Sequence, residues 1–294
     1  MTIEELLQTT SRTFALSIPL LPSPLDHRVT LSYLVFRISD TLEDADHLNR
    51  SDRVAGLHAF CEVLDDLNGD KAALWTREWS QRSISDDENY NRLLRETPQV
   101  ISELQAMDEA SRLAVVHHAK RSAQGMADVL ETADEQGSLQ LSSLEELRQY
   151  CYFVAGIVGE LITELFVIDH EPLAESTVLR ENGSAFGEGL QLVNILKDSS
   201  ADKNCGRAYL PENTPLDDVF DLAFEDLKQA DTYVEALREM KAPPGYIAFC
   251  DAPVQLAQAT LRVVRENGPG SKVPREETFE LLQGVMERAG LATS

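Results

Sequence analysis

The chain has 294 residues, 43% of them hydrophobic and 26% charged, which is enough for a sizeable core. Its 50 acids against 26 bases leave a formal net charge of -24. Such a charge repels polyanions, and no local basic patch offsets it, so nucleic acid is excluded as a partner. The four cysteines (Cys61, Cys151, Cys205, Cys250) form no CxxC pair and have no histidine at zinc-ligand spacing, which points to a reduced, cytoplasmic chain.

In chain order, "MTIEELLQTT" is acidic and lacks the basic-then-apolar order of a signal peptide. Helical periodicity then predicts helices over 25–44, 52–67 and 109–133, separated by a polar stretch, 78–98, that reads as a surface excursion. Ser23 before Pro24, the pair Ser51-Asp52, and Ser143 with Glu146 as a capping box signal starts; Gly69, Gly137 and Gly268-Pro269-Gly270 signal stops. Further helices are predicted over 143–168, 177–202, 217–240, 244–267 and 275–290. No strand ladder, repeat or long linker interrupts them. The expected fold is all-α, with residues 1–294 as one domain. The apolar run from Tyr150 to Ile168 approaches membrane-spanning length but carries Glu160 and Glu164, and so reads as a core helix.

Two carboxylate pairs stand out. Asp40 and Asp44 are four residues apart behind the apolar run Val29–Phe36, and Asp198 and Asp202 repeat that spacing behind Leu190–Leu196. Residues four apart share a helix face, where like charges disfavour the helix by a few tenths of a kcal/mol. Both pairs also lie toward a helix C-terminus, where the macrodipole is already negative. A solvated surface would account for one such pair. Two pairs suggest a hard divalent cation, because magnesium takes one or two carboxylates and completes its shell with water or phosphate oxygens. Arg37 lies three residues before Asp40, and Arg207 follows the second pair; a guanidinium suits bidentate phosphate contact. Gln191 and Asn194 share a face with Asp198 and would line a cavity or bond to another helix. His117 and His118 are adjacent, so on a helix they cannot share a metal.

These motifs resemble those of the squalene/phytoene synthase family, which joins two prenyl diphosphates head to head. The resemblance rests on "SRTFALSIPLLP", "SYLVFRISDTLEDAD", "GMADVL", "YCYFVAGIVGELITELF" and "LQLVNILKDSSADKNCGRAYLP", and more weakly on "APVQLAQATLRVV". It implies an isoprenoid-synthase helical bundle around an active-site cavity. In that pattern Asp40, Asp44, Asp198 and Asp202 would hold Mg2+, and Arg37 and Arg207 would contact diphosphate oxygens. Tyr150 would serve the ionisation and rearrangement steps, and Gln191 and Asn194 would line the reaction centre. Ser11, Thr13, Phe14 and Tyr33 would contact diphosphate and chain. Two departures from the pattern are Lys197, where many members have arginine, and Ala201, where many have an acid.

The activity implied is coupling of two farnesyl diphosphates through a cyclopropylcarbinyl diphosphate, presqualene diphosphate, to squalene, dehydrosqualene or a related thirty-carbon product. The alternatives are a phytoene synthase using geranylgeranyl diphosphate, a diphosphate hydrolase-like relative, or a helical scaffold without catalysis. Whether the last step takes a hydride from NADPH, loses a proton or adds water stays open, as does the oligomeric state. Cationic intermediates demand a dry pocket, for which Gly156 and Gly159 would allow close helix approach and Phe14, Tyr152, Phe153 and Phe166 could offer aromatic faces. The tail "LLQGVMERAGLATS" is too short and polar to anchor in a bilayer, so membrane contact is expected to be peripheral at most.

Overall fold

Helical periodicity is realised along the chain in the computed structural model, which describes residues 1–11, 13–82, 84–135 and 138–291. The helices are α1 (Ile3–Thr10), α2 (Phe14–Ser17), α3 (Leu25–Glu43), α4 (Arg50–Asp66), α5 (Gly69–Trp79), α6 (Glu88–Arg95), α7 (Thr97–Ala106) and α8 (Glu109–Glu131). They continue with α9 (Leu144–Cys151), α10 (Ile157–Asp169), α11 (Thr177–Asn204), α12 (Leu216–Glu239), α13 (Pro244–Asn267) and α14 (Arg275–Arg288). Five residues in π-helical form, Tyr152–Gly156, join α9 to α10. The contacts divide the chain into two compact units, residues 1–19 with 23–139, and residues 20–22 with 140–294.

In the first unit, α3 is the central element. Leu31, Leu34, Val35, Ile38 and Leu42 are fully buried on it, and α8 and α4 supply Val115, Ala123, Leu57, Phe60 and Leu64 to the same core. Burial of a Leu or Ile side chain contributes roughly 1.5–3 kcal/mol, so this one stripe fixes the position of the α3 C-terminus. The segment expected to lie at the surface is partly core. Trp79, Ile84, Leu93 and Leu94 are buried, and α6 forms within the segment because Asp87 caps it by accepting from Asn89 N–H (2.8 Å).

In the second unit, α11 is flanked by the π segment, α10, α12 and α13. Backbones meet directly at its glycines. A Cβ on Gly159 would collide with the Gly183 carbonyl oxygen, and one on Gly187 with that of Ala155, so the expectation of close approach at Gly156 and Gly159 is realised. Buried Tyr233 on α12 bridges the same layer, its hydroxyl 3.0 Å from Thr163 Oγ1 and its ring stacked on Phe186. Asp251 on α13, 2% exposed, accepts from Arg238 of α12 (2.6 Å) and Arg288 of α14 (3.0 Å) and so ties three helices together. The run Leu144–Asp169 is long and apolar enough to cross a membrane by length and composition, yet half of its most apolar 18-residue window is buried against the protein. Among the described residues of this unit, β-structure is limited to Gln140 and Arg207–Ala208, beside which Leu141 N–H donates to the Ala208 carbonyl (3.1 Å).

Several predicted boundaries shift. α3 begins at Leu25 with Pro24, not Ser23, in the cap position and no side-chain cap, because Pro24 (ψ 6°) has left the helical region. Asn49, rather than Ser51, caps α4. Gly69 opens α5 instead of ending α4, which stops because Leu67 adopts a left-handed conformation (φ 47°). Ser143 caps α9, but Glu146 turns back to Ser142 N–H (2.7 Å), so the box is only half formed. Gly268 (φ 87°) ends α13 as expected, and Gly137 lies outside the described residues.

Candidate active site

The first acid pair sits at the C-terminal end of α3, the central helix of its unit, and the second near the C-terminal end of α11, the longest helix of its own. At the end of α3, Asp40 is half-buried and Asp44 is the exposed C-cap residue, its N–H bonded to the Asp40 carbonyl (2.8 Å). Burial is the largest influence on Asp40 and raises its carboxyl to about 6; the neighbouring Asp44 charge adds to this, and Arg37 opposes it. Arg37 Nη1 lies 3.4 Å from Asp40 Oδ2, and its Nε donates to the Tyr33 hydroxyl (3.2 Å), which in turn donates to the Thr10 carbonyl (2.7 Å). Burial works against the Arg37 charge, but Asp40, Tyr33 and Tyr90 more than offset it, so the guanidinium stays charged.

The N-terminal residues join this group unevenly. Phe14 packs its ring 5.4 Å from Tyr33, and its N–H donates to Ser11 Oγ (3.0 Å), which fixes Ser11 beside it. Thr13 is exposed and is not brought to Arg37 or the acid pair; its carbonyl accepts from Leu16 and Ser17 within its own turn. Tyr90 of α6 is the residue that sequence reasoning missed: its ring lies 5.5 Å from the Arg37 guanidinium, the same distance as Tyr33. No periodic signal marks it, because α6 is short and its neighbours are charged.

At the end of α11, Gln191 is half-buried, Asn194 is exposed and Asp198 lies half-exposed on the same face. Lys197 sits 3.1 Å from Asp198 and donates to Asn194 Oδ1 (3.3 Å), so the partner of Asn194 comes from its own helix. Asp202 is half-buried one turn on, and Arg207 is half-buried at the β-bridge. Tyr150, 3% exposed on α9, donates to the Tyr209 hydroxyl (3.1 Å), and the two rings stack at 4.7 Å. Tyr209 belongs to the "GRAYLP" stretch, which was the available signal for it. Tyr152 and Phe153 are half-buried on the π segment, whereas Phe166 is fully buried against Tyr246 and Phe249 and serves the core.

Behind the π segment lies a second group the sequence did not single out. Glu188 on α11 and Asp226 on α12 are 8% and 2% exposed. Burial, reinforced by Asp226 and opposed by Arg148, raises Glu188 to about 7; burial, reinforced by Glu225 and opposed by Arg148, raises Asp226 to about 6. Glu160 accepts from the Tyr152 hydroxyl (3.0 Å), and Lys120 pairs with Asp65. His118 is buried and His117 exposed, as opposite-facing neighbours on α8 should be.

The donors suit a hard divalent ion. Each pair offers carboxylate oxygens, and a cation would relieve the repulsion that Asp44 imposes on Asp40. Among the described residues no three His, Cys, Asp or Glu side chains gather as a metal group. An ion held by either pair would therefore complete its shell with oxygens from outside the protein, as magnesium bound to a diphosphate does.

A family model described as squalene/phytoene synthase matches residues 7–215. A squalene synthase of Cyberlindnera jadinii is 30% identical over 208 residues, covering 71% of this chain and 44% of that protein. Those of Schizosaccharomyces pombe and Bos taurus are 27% and 29% identical over 285 residues, covering 90% and 89% of this chain and 59% and 62% of theirs. The chain thus spans about half the length of the curated relatives it matches. Among solved structures, TcSQS in complex with the ligand BPH1237 superposes with a TM-score of 0.76 at 22% identity, covering 99% of this chain and 91% of that one. A dehydrosqualene synthase in complex with ligand gives 0.62 at 20% identity, covering 98% and 95%. At those identities the likeness establishes the fold, the all-α isoprenoid-synthase bundle.

Proposed function

Since the chain belongs to the squalene/phytoene synthase family, we propose that it is a magnesium-dependent prenyltransferase that condenses two farnesyl diphosphates head to head into a thirty-carbon product. The family match runs through both compact units, which supports reading residues 1–294 as one synthase domain. The observation that carries the proposal is the end of α3, where a charged, immobilised Arg37 stands beside a carboxylate pair whose mutual repulsion calls for a cation.

Asp40 and Asp44, and at the other helix end Asp198 and Asp202, are the residues that would hold Mg2+. When bound, the ion supplies Lewis-acid neutralisation of the departing diphosphate, worth several kcal/mol in the transition state. Arg37 and Arg207 bind diphosphate oxygens, and Lys197 neutralises Asp198. In the first step an allylic C–O bond breaks and pyrophosphate leaves with the electron pair. The double bond of the second substrate captures the cation, and loss of a proton closes the cyclopropane of presqualene diphosphate. A second ionisation releases the second pyrophosphate, and the rearranged cation is quenched by hydride from NADPH, by proton loss or by water. Tyr150, whose hydroxyl donates to Tyr209, serves the ionisation and rearrangement steps. Ser11, Thr13, Phe14 and Tyr33 line the diphosphate end of one substrate, and Gln191 and Asn194 line the reaction centre. The chain works in the cytoplasm, with contact to a membrane surface limited to delivery of an oily product.

The test is incubation with farnesyl or geranylgeranyl diphosphate, with Mg2+ or with a chelator, with and without NADPH, followed by mass analysis of the extract. A thirty-carbon product formed only with the metal is expected. A forty-carbon product would shift the substrate to geranylgeranyl diphosphate, and release of prenyl alcohol alone would make the chain a hydrolase.

A further inference from the structure

Arg37 is held on more sides than a phosphate contact requires. Its Nε is bonded to Tyr33, its Nη1 is close to Asp40, and its guanidinium carbon lies 5.5 Å from two aromatic centroids, Tyr33 on its own helix and Tyr90 on α6. Among the described residues Nη2 has no hydrogen-bond partner. A flexible four-carbon side chain has thus been reduced to one plane, with an open N–H edge. Arginine is suited to such a clamp because its planar cation stacks on rings and keeps its donors in the plane.

We infer that Tyr90 is a positioning residue for the diphosphate site: its ring, 5.5 Å from the guanidinium carbon, restrains Arg37 from a second helix and holds the open guanidinium edge in the orientation that receives a diphosphate oxygen. This rests on the reading of Arg37 as a diphosphate contact. The role belongs to the ring and not the hydroxyl, so it tolerates Phe and Trp. The Asp87 cap and the fully buried Leu93 and Leu94 anchor α6, and its first turn carries Tyr90, half-buried, to Arg37 on α3.

A double-mutant cycle on the full chain tests the idea, with inorganic pyrophosphate plus MgCl2 as the calorimetric probe and KM and kcat for farnesyl diphosphate measured beside it. Tyr90→Phe and Tyr90→Trp should bind within about twofold of the parent, whereas Tyr90→Leu should bind about 3–10-fold more weakly, the worth of one partly desolvated cation–π contact. That loss should appear in KM with kcat little changed, and should vanish in an Arg37→Leu background, because Tyr90 then has nothing to hold. Parent-like binding by Tyr90→Leu, or an equal loss with Arg37 absent, overturns the inference and leaves the diphosphate site standing. A parent protein that is folded yet binds no pyrophosphate overturns both.

Discussion

The two acid-ended helices solve the same electrostatic problem differently. At the end of α3, Asp40 is half-buried, raised to about 6, and paired with an arginine that bonds the Tyr33 hydroxyl and lies 5.5 Å from the Tyr33 and Tyr90 rings. At the end of α11, Asp198 is half-exposed and its partner is Lys197, a point charge on a flexible stem that also reaches Asn194. The first end is preorganised: a hydrogen bond, an ion pair and two rings restrain Arg37, so binding of a diphosphate there, as proposed, would cost little conformational entropy. The second is adaptable, its acid balanced by a lysine on a flexible stem. Under the proposed function, the α3 end is the one whose own contacts would fix the orientation of a diphosphate in advance.

The largest effects should come from the carboxylates. Asp44→Asn and Asp202→Asn should each lower turnover by at least about a hundredfold, the several kcal/mol a metal-held leaving group supplies. Melting followed by circular dichroism should move little, because Asp44 is exposed and Asp202 half-buried. Normal turnover in both variants would dissolve the comparison altogether. Next in size, Arg37→Lys should cost about tenfold in kcat/KM through loss of the stacked planar fork, while Lys197→Arg should cost less than about threefold. Equal costs would mean that the two ends are equally adaptable. Tyr150→Phe removes the bond to Tyr209, worth about 1 kcal/mol, and should slow the single-turnover rate about fivefold with pyrophosphate affinity unchanged.

The smallest effect lies away from both ends, in Glu188 and Asp226. Their folded-state carboxyls are raised, so the folded chain keeps protons that the unfolded chain loses as pH rises. Stability should therefore fall from about pH 4.5 to about pH 7 and stay low above it. Glu188→Gln should flatten that fall and add on the order of 1 kcal/mol at pH 8, read from urea unfolding at pH 5 and pH 8. A variant as pH-dependent as the parent would remove Glu188 from the account.

Much of this was legible in the sequence, for identifiable reasons. The 3.6-residue period of α3 and α11 fixed which face holds Asp40 with Arg37, and which holds Gln191, Asn194 and Asp198. The glycines of "VAGIVG" announced a backbone contact that Gly159 and Gly187 make. Tyr90 was not legible, since its partner lies more than fifty residues away and α6 carries no apolar stripe long enough to place it. Glu188 and Asp226 were hidden because acids in so acidic a chain read as surface, and only packing of α11 on α12 buries them. The cap positions moved for local reasons: Asn49 and Asn68 accept N–H groups where serine and glycine had been expected to act.

The most direct test of the central claim is an isotope-mixing assay. An equal mixture of unlabelled and fully deuterated farnesyl diphosphate is incubated with the protein and Mg2+, and the hydrocarbon products are weighed by mass spectrometry. Head-to-head coupling predicts unlabelled, half-labelled and fully labelled thirty-carbon species in about the 1:2:1 ratio of random pairing, all lost in Asp44→Asn. Fifteen-carbon products alone, with no half-labelled species, would contradict the claim that this chain joins two prenyl diphosphates.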